Sequence, residues 1–309
     1  MDLVSIVIPT LNRPKCLRRA VESAQNQIAI EGVEIEIVVV DNSPDGNADA
    51  ALASLPSCGP PVRLLHEPRP GVANARNMGV ANARGRWVAF LDDDEEAEPS
   101  WIARLVATAR RTGADAVFGP IEAKSDGGQA IGSFSPYFSR RIDRPDGGDI
   151  TDLSAYLGTN NSMFDRLRCF EEAEPFDPSL NEIGGEDSLL LKRLVMSGRR
   201  FAFAAGARVV EWAPTRRLNW AYIRKRKFLS GQIRVFVHHM VRPAQWDRIV
   251  LWMAIGLAQF CYGCASALLF WPFNRDRAAR AAATACGGLG KVLWTPRFRP
   301  ALYGAGLVS

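Results

Sequence analysis

Short apolar runs that break off into polar or acidic residues recur through the first 120 positions. Val4-Ser5-Ile6-Val7-Ile8 stops at Pro9-Thr10, and the run over 34–40 stops at Asp41-Asn42-Ser43, so both read as buried strands entering loops. Between them, Leu17, Ala20, Val21 and Ala24 recur at helical spacing behind Thr10-Leu11-Asn12-Arg13-Pro14, whose polar caps and proline suit a first helical turn. Strand, helix and strand at this spacing make a right-handed parallel βαβ unit. The alternation continues with a strand over 62–65, a helix over 71–85, a strand over 87–91, a helix over 100–111 stopped by Gly113, and a strand over 116–118. The fold class predicted is α/β, with a Rossmann-like, doubly wound, mostly parallel sheet. Ligands on such sheets bind beyond the carboxyl ends of the strands. Three polar stretches fall there: Thr10 to Arg13, Asp41 to Ser43, and Asp92 to Glu96.

The second half is less periodic. Residues 121–148 are rich in Gly, Ser, Pro and Asp and read as loop; order resumes over 158–164, and Gly184-Gly185 precedes a helix opening with Glu186-Asp187. A long basic helix is expected over 217–239. Residues 249–273 then carry no Asp, Glu, Lys or Arg, with Trp252, Tyr262 and Trp271 among them. That length suits either a buried helical hairpin or a segment embedded in a membrane, shallowly or across it.

Composition adds an asymmetry. The 309 residues, 47% hydrophobic, can bury a sizeable core, and the formal charge of +5 is concentrated at the end. From Val241 onward eight Arg or Lys, including Arg299, face only Asp247 and Asp276, which leaves the rest near neutral. A general nucleic-acid binder is excluded as the expectation, and a basic tail facing an anionic membrane surface is favoured. Six cysteines (Cys16, Cys58, Cys169, Cys261, Cys264, Cys286) show no disulfide framework, and the Cys261/Cys264 spacing lacks a second pair for zinc. The chain enters its first strand without a charged-then-apolar leader, so no signal peptide is expected.

The chemistry concentrates in Asp92-Asp93-Asp94. Crowded carboxylates at a strand end repel one another, which favours a divalent cation there. Mg2+ or Mn2+ takes one or two hard oxygen ligands from protein and shares the phosphates of its ligand. Glu95 and Glu96 read as the solvated margin of this block. Asp41 is placed to accept hydrogen bonds from a nucleobase or ribose, beside Pro9, Thr10, Asn12 and Arg13, although strand-end aspartates also cap helices. Arg76 either faces the nucleotide or is a solvated helix arginine. Glu186-Asp187 either supplies a general base or answers the helix dipole. Of the basic cluster Arg216, Arg217, Arg224, Lys225, Arg226 and Lys227, one or two would reach a phosphate and the rest would be solvated.

Taken in order, Val-Ser-Ile-Val-Ile-Pro-Thr-Leu-Asn-Arg, Val-Val-Val-Asp-Asn, Ala-Arg-Asn-Met-Gly, Phe-Leu-Asp-Asp-Asp-Glu and Gly-Gly-Glu-Asp resemble glycosyltransferase family 2, the inverting GT-A enzymes, over residues 4–231. Within it the bacterial exopolysaccharide β-glucosyltransferases of the succinoglycan type are most similar. The resemblance implies that Asp41 contacts the base, Asp92 the ribose or metal, and Asp94 the metal as main ligand, with Asp93, Arg76, Arg217 and Arg226 about the nucleotide-sugar. It makes Asp187 the general base, with Glu186, Asn160 and Asn161 at the acceptor. Residues 1–120 would form the nucleotide-sugar half, 121–235 the acceptor half and 236–309 a helical membrane-associated tail. The implied donor is a UDP-sugar, carrying glucose, and the acceptor a lipid-linked or oligosaccharide hydroxyl at the cytoplasmic face of the inner membrane.

One departure stands out. Relatives place a histidine before a late glutamate; here the stretch is Val209-Val210-Glu211-Trp212, so Glu211 or water replaces it or metal affinity falls. A metal-dependent nucleotidyltransferase and a non-catalytic membrane scaffold are the alternatives. The first commonly needs a Gly-rich phosphate loop where this chain has Pro9 to Arg13, and the second leaves the acids unexplained.

Overall fold

A computed structural model describes residues 2–53, 55 and 59–298; Cys58 and Arg299 lie outside the described residues. The first half runs β1 (Asp2–Thr10), α1 (Pro14–Gln25), β2 (Val33–Asp41), α2 (Asp49–Leu52), β3 (Val62–His66), α3 (Val72–Asn82), β4 (Trp87–Phe90), β5 (Glu95–Ala97), α4 (Trp101–Thr112), β6 (Ala116–Phe118) and β7 (Ile121–Ser125). The second runs α5 (Ser135–Phe138), β8 (Ser162–Asp165), α6 (Arg166–Cys169), α7 (Glu186–Met196), β9 (Phe201–Phe203), β10 (Val209–Ala213), α8 (Trp220–Met240), α9 (Trp246–Phe270) and α10 (Arg275–Val292).

A seven-stranded, mostly parallel sheet in the order β3-β2-β1-β4-β8-β6-β9 forms the centre. Ile6 of β1 stands opposite Ile37 on one side and Ala89 on the other, which aligns the carboxyl ends of β1, β2 and β4. Along β1, Val4, Ile6 and Ile8 point into the core layer containing Leu17, Trp101 and Leu105, while Val7 joins the opposite layer with Val38, Phe90, Phe164 and Leu190. Helices cover both faces, so the central strands are mostly apolar, and the buried polar pair that interrupts them is satisfied internally, Ser5 Oγ of β1 donating to Glu36 Oε1 of β2 at 2.6 Å.

Two differences from the sequence expectation concern pairing. The strand predicted over 116–118 does not adjoin β4, because β8 inserts antiparallel between β4 and β6. Residues 121–148, read as loop, contain β7, which pairs with β10 in a second sheet ordered β5-β10-β7. β7 alternates buried Ile121, Ala123 and Ser125 with exposed Glu122 and Lys124, a pattern too short to stand out among glycines and aspartates.

At the C-terminus α8, α9 and α10 pack together, with α10 between the other two. α10 falls in the tail expected to be helical over 236–309, although its Ala- and Gly-rich sequence lacks large apolar residues at helical spacing. α9 is long and apolar enough to cross a membrane, with mean hydropathy 1.6, and only 11% of that stretch is buried. The buried-hairpin reading is therefore corrected: one side of α9 is covered and the other is open.

Candidate active site

The acidic block leaves β4 in a tight turn closed by the Glu95 amide donating to the Asp92 carbonyl. Because β1 and β4 are neighbours in register, Thr10 and Arg13 reach the same edge. Thr10 Oγ1 donates to Asp93 Oδ2 at 2.8 Å, and Arg13 Nη1 donates to Asp93 Oδ1 at 2.9 Å and to Asp94 Oδ2 at 3.0 Å. Arg217, expected to open the basic helix, stands instead in a short turn three residues before α8 begins at Trp220, with Nη1 3.7 Å from Asp94 Oδ2. Its Nε is buried without a hydrogen-bond partner, an orphan donor beside the acids that an anionic ligand would satisfy.

Glu95 is not solvated margin. It is buried in β5, where Oε1 accepts from Asn160 Nδ2 at 2.9 Å and Oε2 from the Asp92 amide at 3.0 Å. Glu96, half-buried, accepts from the Trp212 indole N–H. β10 brings Glu211 directly opposite Glu95, and the Trp212 amide donates to the Asp94 carbonyl at 2.8 Å. Thus Glu211 belongs to the acidic cluster through a strand pairing that a three-residue strand cannot advertise in sequence.

The second acid pair is carried to the first. Gly184 and Gly185, with φ of +77° and +98°, turn the chain so that α7 opens with Glu186 and Asp187. Arg76, buried on α3, donates from Nη1 to Glu186 Oε1 at 2.6 Å and from Nη2 to Asp92 Oδ1 at 3.4 Å. Asp187 and Asn160 flank Gly158: a Cβ there would lie 3.1 Å from Asp187 Oδ2 and 2.9 Å from Asn160 Oδ1. Arg140, half-buried, holds this loop by donating to the carbonyls of Gly119, Gly158, Asn160 and Asn161. Sequence reasoning missed Arg140, whose flanks carry no motif.

The remaining candidates are placed differently. Pro9 is buried in β1, and Asn12, at φ +55°, accepts from the Asn47 side chain. Asp41 is fully buried, its two oxygens accepting the Ser43 and Ala48 amides at 2.8 and 2.7 Å, so the carboxylate shapes the loop after β2. Asn161 is also fully buried: Oδ1 accepts from Trp101 Nε1 at 2.8 Å, and Nδ2 donates to the Pro120 and Ala207 carbonyls. Its side chain offers no free polar atom to an acceptor. The Arg226 guanidinium lies 4.9 Å above the Phe138 ring and counters the charge of Glu211.

Burial dominates the electrostatics. It pushes Asp93 up to about 7 and Glu211 to about 8, against Arg13 and Arg226 respectively, with Asp94 adding repulsion in both cases. Asp94 and Glu95 are raised for the same reason. Glu186 rises to about 7 through burial and the Asp187 charge, which outweigh Arg76. Arg76 itself keeps its proton more firmly than usual: burial works against its charge, but Asp92, Glu186 and Asp187 together prevail. The guanidinium is surrounded by three acids, while Glu186 shares one guanidinium with Asp92. Among the described residues no three His, Cys, Asp or Glu side chains form a ready-made metal cage. An under-neutralised set of hard oxygen donors around Asp92 and Asp94 nonetheless fits Mg2+ or Mn2+ bound by one or two carboxylates.

The sequence model of glycosyl transferase family 2 matches residues 5–166. The chain is 31% identical over 234 residues to the succinoglycan biosynthesis protein ExoM of Rhizobium meliloti, covering 74% of this chain and 73% of that one. Against ExoO of the same organism it is 30% identical over 217 residues, 66% and 59% of the two chains. Glycosyltransferase AglE of Haloferax volcanii is 26% identical over 258 residues, 83% and 81%. The solved structure of S. aureus TarS residues 1–349 in complex with UDP superposes with a TM-score of 0.54 at 15% identity, over 94% of this chain and 90% of that one.

Proposed function

The chain belongs to glycosyl transferase family 2, and from that premise we propose that it moves a hexosyl group, glucose, from a UDP-sugar to a hydroxyl of a lipid-linked saccharide in exopolysaccharide synthesis, with inversion. The observation that carries the reading is Arg76, which joins Asp92 to Glu186 and so sets the donor-side acids against Asp187. The donor is supported by UDP in the similar TarS fold, and the polymer by the relatives' names.

In this mechanism the two acids of α7 divide the work. Glu186 is buried and locked to Arg76, whereas Asp187 is half-exposed with Oδ2 turned toward Gly158 and Asn160. Asp187 takes the proton of the acceptor hydroxyl as its oxygen attacks the anomeric carbon. The bond from that carbon to the diphosphate breaks on the opposite face, and the electron pair leaves with the nucleoside diphosphate. Arg13 and Arg217, now paired with Asp94, are placed to turn toward the leaving phosphates. A Mg2+ or Mn2+ ion held by Asp94 and Asp92 would supply further neutralisation of that charge.

The test is Asp187→Asn, assayed by nucleoside diphosphate release and by donor binding. Transfer should fall on the order of 10²- to 10⁴-fold with donor affinity kept; near-normal turnover removes Asp187 as base. Release of pyrophosphate instead would point to nucleotidyl transfer.

A further inference from the structure

The exposed side of α9 reverses the usual order of a surface helix. Its outward residues recur every three or four positions, and Val250, Leu257, Tyr262, Leu268 and Leu269 are each more than half exposed, continuing to Phe273 at 83%. Residues 249–273 place no charge on that side. At 1.5 Å per residue the stripe from Val250 to Leu269 is about 30 Å long, which alone would suit a bilayer crossing.

The inward side forbids that orientation. Gly256 and Gly263 bring the α9 backbone against α10 so closely that a Cβ would stand 2.7 Å from the Gly288 carbonyl and 2.6 Å from the Ala285 amide. Gly290 of α10 meets the Phe228 carbonyl of α8 in the same way. α8 is tied to the catalytic fold through Ile223, which clusters with Ala123 and Ala213, and α10 through Ala283 and the Ser133–Asp276 hydrogen bond. A crossing α9 would therefore draw along Arg224, Lys225 and Arg226 on α8 and Arg277, Arg280 and Lys291 on α10, at several kcal/mol each.

We propose that α9 lies flat in the interfacial layer of an anionic membrane, its outer stripe immersed and the catalytic domain held on the surface. The ends of the stripe carry the matching charge: Arg248 precedes it, and Arg275 and Arg277 follow, their guanidiniums 4.6 Å over Trp271 and 5.7 Å over Phe270. An aromatic ring under a cation suits the headgroup level. A second copy of this chain is the poorer occupant: the ends of the stripe carry Arg248, Arg275 and Arg277 against Asp247, which is already 3.6 Å from Arg248, and Asp276, which is turned to Arg280 and Ser133, so pairing two stripes would gather an excess of guanidiniums.

The experiment uses the full chain with phosphatidylglycerol vesicles and with phosphatidylcholine vesicles, and does not depend on sugar transfer. Flotation with the anionic vesicles is expected, and Leu257→Glu/Leu268→Glu should weaken partition on the order of a hundredfold with circular dichroism unchanged. Leu268→Glu alone, at a position 77% exposed, serves if the double variant misfolds. Quenching by brominated lipids of a probe at positions 250, 261 and 269 in turn should report one shallow depth. Depth greatest at position 261 would mean a spanning helix, and a dimer that ignores both vesicles would mean self-association; either overturns the proposal.

Discussion

Replacing Arg76 by methionine removes a charge from a closed site while keeping most of the side-chain volume. Glu186 would then be a carboxylate 5% exposed, beside Asp187, without its 2.6 Å partner. In the intact protein its pKa already stands near 7 rather than 4.5, so the fold binds its proton more tightly than the unfolded chain does. That contribution to stability is fully present below pH 4.5 and is lost as pH rises through about 7. Without Arg76 the folded pKa rises further, so the penalty grows as pH increases. At pH 5 Glu186 is protonated in both proteins, and Arg76→Met costs about 1–2 kcal/mol for lost hydrogen bonds. At pH 8 the cost grows by at most about 1.4 kcal/mol, to about 2–3 kcal/mol, because the variant can keep Glu186 protonated and so loses only the one pKa unit by which pH 8 exceeds the present value of about 7. Urea denaturation at both pH values measures the difference, and adding Glu186→Gln should abolish the extra loss at pH 8. Equal losses at the two pH values, or a second substitution that only adds damage, would refute the claim that Arg76 acts by neutralising Glu186.

Removing divalent cations with EDTA should stop transfer, and Mg2+ or Mn2+ should restore it; turnover indifferent to chelation would leave Asp92 and Asp94 without the metal role. Asn161→Ala should cost about 2–4 kcal/mol, because Trp101 Nε1 and two buried carbonyls lose their partner. The acceptor KM of the folded fraction should stay unchanged, and a raised KM with full stability would restore Asn161 to the acceptor site.

The sequence by itself determined the parts of this protein that depend on local pattern. Predominantly apolar runs gave β1, β2 and β4, because strands covered on both faces admit polar residues only in satisfied pairs such as Ser5 with Glu36, and the polar residues at their ends marked the ligand edge. Gly-Gly before Glu186-Asp187 announced α7 in the same way. What sequence could not supply was partnership. Three-residue β5 carries too little pattern to reveal that Glu95 is enclosed and faces Glu211 across a strand pair. Nothing local shows that Asp41 and Asn161 spend their hydrogen bonds on backbone and indole, or that Arg76 spans two acids far apart in the chain. For residues 249–273, length and composition left three orientations open. The glycine-lined packing of α9 on charged helices is what supports the flat orientation proposed above, since a helix's lean in a membrane is set by what it cannot leave behind.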